Sequence, residues 1–342
     1  MQNLFSLLFS FLLGMTAFAQ GNKPVIDYSA PPNAPFTAEE VTIQAKGYTL
    51  AGTLLLPKSG KRSLPAVITI TGSGLQTRDE PLPIPGLEKY RPMRQIAEAL
   101  ATRGIAVLRV DDRGTGGSGG RETLAAATTS GFADDTRAEV AYLRSRSEID
   151  PKRIALAGHS EGGIIAPMVA AGDSQIAAIV LLAGSGKSGG QISMEQLADL
   201  LDRTPGVTPE LRKQKLAEEQ EVITAVATGA DLSKYPAQVR LPWTKEFWTY
   251  DPIPTIRKVH QPILILQGAI DRQITAEQAD LLEKAAREGG NKDVTKQLFP
   301  NLNHLFLPGK TGAVAEYPTL ETSLIGDDVL KILGDWLVLK LK

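Results

Sequence analysis

The segment Gly158-His159-Ser160-Glu161-Gly162 has the form Gly-x-Ser-x-Gly, with an apolar run, Ile154 to Ala157, before it and another, Ile164 to Ala171, after it. A serine hydroxyl is a weak nucleophile at neutral pH until a neighbouring base takes its proton. The flanking runs read as a short buried strand and an apolar helix, which places Ser160 on a sharp turn where Gly158 and Gly162 let the two elements approach. The turn also puts Ser160 at a helix start, where free backbone N–H groups and the helix dipole favour a developing negative charge. The N–H of Glu161 is one expected oxyanion donor.

The chain has three histidines from which to choose a base. His159 adjoins Ser160 and its side chain leaves the turn in another direction; His260 precedes a strand and comes before any suitable acid. His304 remains, in the loop Phe299-Pro300-Asn301-Leu302-Asn303-His304-Leu305-Phe306 after the last apolar strand. The orienting acid is expected after a strand between Ser160 and His304. Ile263 to Leu266 is such a strand, and Gln267-Gly268-Ala269-Ile270-Asp271 follows it. The preceding strand runs into Ala183-Gly184-Ser185-Gly186-Lys187, which has no carboxylate, so Asp271 is the acid that would fix the imidazole tautomer. A helix-capping role for Asp271 is weaker, because Thr275 is better placed to cap Ala276 to Ala286.

A second oxyanion N–H is expected from Gly72-Ser73-Gly74-Leu75 after the strand Ala66 to Thr71, with Ser73 favoured and Gly74 or Leu75 as alternatives. This is not a phosphate-binding loop, since the Lys-Ser/Thr ending is missing. Another glycine-rich run, Asp111 to Gly120, follows a strand, but Arg121 to Ser130 intervenes before helical periodicity resumes, unlike a dinucleotide fingerprint. It reads as a structural loop beside the site, with Arg113 and Asp112 in a local ion pair.

The elements that must position these residues follow from the apolar pattern. Val41 to Lys46 and Tyr48 to Leu56 suggest an antiparallel hairpin. Short continuous apolar runs follow, at Ala66–Thr71, Ile105–Val110, Arg153–Ala157, Ile176–Leu182, Pro262–Leu266 and Val294–Phe299. Helical sequences between them, including Pro92–Thr102 and Phe132–Arg144, point to a mostly parallel sheet covered on both faces. The stretch 185–251 breaks this rhythm with polar helical sequence, such as Leu211–Ala227, and the aromatics Trp243, Phe247, Trp248 and Tyr250; it reads as a cap inserted over the site. The terminal helix Asp327–Lys340 should pack on the sheet.

Composition sets the outer limits. The 342 residues contain no cysteine, which excludes disulfides, cysteine-based zinc sites and a thiol nucleophile. The net charge of −1, with both signs mixed along the chain, points away from nucleic acid and toward a small, roughly neutral ligand. Residues 1–19 carry an apolar run from Leu4 to Met15 and then Ala17-Phe18-Ala19, the pattern of a signal peptide cleaved after Ala19. The expectation is an exported, periplasmic or extracellular protein with no stable membrane insertion after cleavage. Residues 20–35 read as a linker, and 36–342 as one domain.

Taken together, the Gly-x-Ser-x-Gly turn, Gly72-Ser73-Gly74 with Arg78-Asp79, Asp112-Arg113-Gly114, Tyr250-Asp251-Pro252 and Asn303-His304-Leu305-Phe306 resemble the α/β-hydrolases related to bacterial carboxylesterases and serine-aminopeptidase-like hydrolases. The resemblance runs from about Val41 to the C-terminus. It implies the α/β-hydrolase fold and hydrolysis of carboxylic esters through an acyl-serine intermediate, without metal or organic cofactor. By the same analogy Trp243, Phe247 and Trp248 would line an apolar substrate pocket, although they serve equally well as cap core. Deacylation of carbohydrate esters, aminopeptidase activity, and a catalytically inactive binding protein are the competing readings.

Overall fold

In a computed structural model, residues 26–58, 60 and 63–342 are described, and the signal-peptide segment 1–19 lies outside them. Eight strands form one sheet in the order β1-β2-β4-β3-β5-β6-β7-β8. The hairpin is β1 (Phe36–Gln44) with β2 (Thr49–Pro57), and β2 pairs antiparallel with β4 (Ala106–Val110). From there β4, β3 (Leu64–Ile70), β5 (Ile149–His159), β6 (Ala178–Leu182), β7 (Ile263–Gly268) and β8 (Val294–Phe299) run parallel.

The continuous apolar runs have a direct cause, since alternate side chains of each central strand enter two different cores. Ile154 and Leu156 of β5 face one, together with α2 (Thr129–Ser145), α3 (Gly162–Ala170) and α8 (Ala276–Glu288), counting helices in chain order. Ala155 and Ala157 face the other, with α1 (Pro92–Ala101) and α9 (Asp327–Lys340). Strand β5 extends beyond the expected Arg153–Ala157 because the polar residues Asp150 to Arg153 continue the extended backbone to Ile149, which pairs with Leu64 across a bulge. Helix α2 starts before Phe132 because the Thr128 hydroxyl accepts the Gly131 N–H at 3.0 Å, a side-chain cap.

Between β6 and β7 lie α4 (Gly189–Arg203), α5 (Pro209–Thr228), α6 (Pro242–Thr249) and the short α7 (Ile253–Ile256). Val222, Val226, Trp243, Phe247 and Trp248 form a small core of their own, seated on Ile164 of α3 and on Ile274. Residues 26–35 lie against the domain: Tyr28 covers the Arg78 guanidinium at 4.1 Å, and Arg94 donates to the carbonyls of Asp27 and Ser29.

The loops after β3 and β4 are fixed by buried charge. Asp111 accepts the Arg78 backbone N–H at 2.8 Å, its Nε at 3.0 Å and an Nη at 2.8 Å, and it also accepts the Gly117 N–H at 2.9 Å. Arg109 and Asp79 form a second buried pair beside it. The expected Arg113–Asp112 pair is not formed. Arg113 meets Asp135 at 2.7 Å because α2 brings that carboxylate to it, while Asp112 faces the other loop and accepts the Gln76 N–H at 2.8 Å.

Removing one partner of a buried pair strands the other charge. Arg78→Leu is therefore expected to lower stability by about 3–5 kcal/mol, whereas Glu40→Ala, which removes its exposed partner, should cost no more than about 1 kcal/mol. Chemical denaturation of the two variants measures the contrast, and equal small losses would show that the Asp111 pair does not anchor these loops.

Candidate active site

Ser160 follows β5 and precedes α3 with a backbone φ of +53°, the left-handed region that a residue with a Cβ seldom adopts. A Cβ on Gly158 would collide with the carbonyl of Gly162, and one on Gly162 with the carbonyl of Ile70. The turn thus closes only with glycine at both positions. The Ser160 N–H donates to the Leu182 carbonyl at 2.9 Å, and the Ser160 carbonyl accepts the Gly163 N–H at 2.9 Å. The N–H of Glu161 lies ahead of these first helical hydrogen bonds, where a helix start presents its free donors.

Asp271 and His304 are brought together by the loops after β7 and β8. His304 Nδ1 lies 2.8 Å from Asp271 Oδ2, and both side chains are buried. The Asp271 carboxylate has its other acceptor positions occupied: Oδ1 takes the N–H groups of Gln273 at 2.8 Å and Ile274 at 2.9 Å, and Oδ2 takes Gln267 Nε2 at 2.9 Å. Asp271 thus closes the turn into α8, while Thr275, although at the cap position, makes no side-chain cap bond. On the His304 side, Asn303 Oδ1 accepts the N–H groups of Leu305 and Leu307, and the Tyr90 hydroxyl donates to the Leu305 carbonyl at 3.0 Å.

Ser160 and His304 line one cleft of about 830 Å³, open to solvent, together with Gly72 and Ser73. The Gly72 N–H is engaged by Glu80 Oε1 at 2.9 Å and the Gln76 N–H by Asp112; of Ser73, Gly74 and Leu75 between them, Ser73 is the one that lines the cleft. A Cβ on Gly72 would stand 3.2 Å from the Ser160 Cβ, so the loop lies directly against Ser160.

The aromatics of the cap divide. Phe247 lines the cleft, whereas Trp243 and Trp248 are buried in the cap core. Trp243 stacks on Phe247 with ring centroids 4.9 Å apart and donates its Nε1–H to Glu161 Oε1 at 2.8 Å. Glu161 also accepts the Thr129 hydroxyl at 2.6 Å; burial pushes its carboxyl above the usual range, against these hydrogen bonds. The remaining cleft wall is mixed, with Ile192, Ile274 and Leu305 beside the amides of Gln76, Gln196 and Gln273.

One contact has no counterpart in the sequence reading. His159, beside Ser160, reaches Glu80 with Nδ1 at 2.8 Å and the His304 backbone carbonyl with Nε2 at 3.1 Å. Its side chain does leave the turn in another direction, but toward a carboxylate thirteen residues past β3's midpoint region, in a loop whose path only the folded chain reveals. The sequence carries no spacing signal for this pair beyond an acidic residue following Arg78-Asp79.

The sequence model of the family described as serine aminopeptidase, S33, matches residues 86–309. An uncharacterized protein of Mycobacterium tuberculosis is 42% identical over 77 residues; the match spans 22% of this chain and only 26% of that relative. Among solved structures, the Pyrococcus furiosus esterase Pf2001 superposes with a TM-score of 0.60 at 17% identity, covering 95% of this chain and 100% of that one. Est1E from Butyrivibrio proteoclasticus, solved with ferulic acid bound, superposes with a TM-score of 0.55 at 19% identity, covering 88% and 99% of the two chains. At these identities the structural likeness speaks for the fold.

The placement of Trp243 gives a stability prediction. Trp243→Phe keeps the apolar ring but withdraws a donor from the buried Glu161 carboxyl, and it should lower stability by about 1–3 kcal/mol in a denaturant titration. An unchanged midpoint would mean that the indole contributes packing alone.

Proposed function

Since the chain belongs to the serine aminopeptidase S33 family, and so to the α/β-hydrolases, we propose that it is a serine hydrolase that cleaves carboxylic esters of small substrates. The observation that carries this reading is the juxtaposition of Ser160, on its left-handed strand-to-helix turn, with the Asp271-held His304 in one cleft. Ser160 Oγ attacks the ester carbonyl carbon while its proton passes to His304 Nε2. The negative charge that develops on the carbonyl oxygen is met by the N–H groups of Glu161 and Ser73. Collapse of the tetrahedral intermediate breaks the bond to the alcohol, which leaves with the proton from His304, and the acyl group stays on Ser160. Water then repeats the sequence, with His304 as its base, and releases the acid. Asp271 holds the imidazole so that Nε2 faces the nucleophile and stabilises the imidazolium.

Within the family, the choice of an ester over a peptide with a free amine is supported by where the carboxylates are. An aminopeptidase site would offer the substrate amine an unengaged carboxylate. Glu80, in the cleft wall, is taken by His159 and Gly72. Of the cap acids, Glu195 pairs with Lys187, and Glu246 accepts the Ser130 N–H at 2.9 Å. The apolar wall suits a compact acyl or aryl group, in keeping with a neighbour solved with ferulic acid bound. Glutamine amides in the same wall keep the deacylation of carbohydrate esters as the second reading.

A panel of p-nitrophenyl acetate, acetylated sugars and aminoacyl anilides tests the proposal, with turnover expected on the aryl ester and not on the anilides. Ser160→Ala should remove nearly all of that turnover, a loss on the order of 10⁴-fold or more, with the fold intact by circular dichroism. A wild-type protein that neither cleaves these esters nor reacts with a fluorophosphonate at Ser160 would be a binding protein on a hydrolase scaffold.

Export is proposed on the N-terminal pattern alone, Leu4 to Met15 followed by Ala17-Phe18-Ala19. When the full chain is expressed in a bacterial host, the mature protein should begin at Gln20. N-terminal sequencing that reads Met1 in the recovered protein would overturn this.

A further inference from the structure

The cleft holds a second imidazole–carboxylate contact that the ester-cleaving steps do not use. Glu80 Oε1 accepts the Gly72 N–H at 2.9 Å and lies 2.8 Å from His159 Nδ1, while His159 Nε2 lies 3.1 Å from the His304 carbonyl oxygen. Two side chains thus touch three segments: the loop that presents Ser73, the turn that carries Ser160 and the loop that carries His304. Both are almost fully buried, at 5% and 6% exposure, and Glu80 holds a φ of +53°. A non-glycine residue in that region is strained and persists only where its surroundings over-determine it.

The hydrogen bonds fix the protons. A carbonyl oxygen only accepts, so Nε2 must carry a hydrogen to bond His304. Another hydrogen must lie between Nδ1 and Glu80 Oε1. The pair therefore holds two protons and no net charge, as imidazolium and carboxylate. With one proton gone, a lone pair on the ring faces either the carboxylate or the carbonyl, and a buried negative charge is left without a counter-charge.

We propose that Glu80 and His159 are positioning residues for the hydrolysis, clamping the loop of Ser73 to the loop of His304, and that the clamp fails when the pair loses its second proton. This rests on the reading of Ser160 and His304 as nucleophile and base. Burial by itself pushes the His159 imidazole down, but the Glu80 carboxylate, the hydrogen bonds to Glu80 and to the His304 carbonyl, and Asp271 outweigh it and hold the ring above its usual value. The groups facing the pair are the His304 ring, with its centroid 4.9 Å from that of His159, Asp271 behind it, and Tyr90 and Asp112 on the Glu80 side. The sign follows: a group raised in the folded protein gives up its proton only as pH rises through the raised value, so turnover should fall on the alkaline side.

The test compares the pH profile of kcat for p-nitrophenyl acetate in the wild type and in Glu80→Gln, which removes the charge and little volume. The alkaline fall should move to lower pH by about one unit or more in the variant. At the wild-type optimum kcat should drop about tenfold to a hundredfold, with KM within about twofold. An alkaline fall at the same pH in both proteins, whatever their absolute rates, would overturn the proposal.

Nuclear magnetic resonance of the ¹⁵N-histidine-labelled wild type provides a measurement independent of the variant's folding and of turnover. The chain has three histidines to assign, and His159 should show both ring nitrogens protonated at neutral pH. A neutral, single-tautomer His159 at that pH would sink the clamp. A protein that shows the protonated ring but cleaves no ester would instead sink the functional reading beneath it.

Discussion

Strand β5 and helix α3 meet at Ser160 with no side chain between Gly158 and Gly162, and the serine is held at a φ of +53°. A conformation of this cost is stable only if the backbone on both sides has nowhere else to go. Two features remove its alternatives. The Ser160 N–H is tied to the carbonyl at the end of β6, so β6 must lie beside β5, and Gly162 abuts the carbonyl of Ile70, so β3 must lie on the other side. A central place in the sheet with covered faces is thus a requirement of the turn. The alternation of Ile154 and Leu156 with Ala155 and Ala157 supplies it, since each face of β5 is pulled into its own core. Packing energy spread over two hydrophobic layers is what holds a single strained residue in place.

At the carboxyl ends of the strands, buried charge joins apolar packing. Arg78 with Asp111, Arg109 with Asp79, Arg113 with Asp135 and His159 with Glu80 each tie one loop to another element. A charge buried without its partner is so unfavourable that the loops cannot drift apart without exposing or stranding it. Behind the Ser73 loop, Asp112, Glu139 and Glu161 line a second cavity, and burial raises the carboxyls of all three.

This division explains which parts of the molecule are legible in the sequence. The strands and α9 are visible because their cause is local: a run such as Ile263 to Leu266 is apolar on both faces wherever it sits. Ser160, Asp271 and His304 follow from elements in chain order, and the structure brings the last two into hydrogen-bond contact. The partner of Arg113 is a different matter. Asp112 is its neighbour in sequence, but α2 returns Asp135 to the same place, and no periodicity shows that. Glu80 is hidden for the same reason, since its tie to His159 is made across the sheet by loops from two different strands. The cap aromatics were legible as a group and not as individuals, because a helical spacing cannot say which of Trp243, Phe247 and Trp248 turns toward the cleft.

Glu161 joins these two levels of organisation. Its backbone starts the helix behind Ser160, and its side chain accepts from Trp243 of the cap and Thr129 of α2. The residue that follows Ser160 is therefore anchored through its own side chain to the element that covers the cleft. Because Trp243 in turn stacks on Phe247, which lines the cleft, the path from the Ser160 turn to the cleft wall runs through a single buried carboxyl and two stacked rings. A shift of α6 would pull on the start of α3, and with it on the turn that carries Ser160. Cap and Ser160 turn are thus tied together, so that the cap wall and the turn share the same contacts.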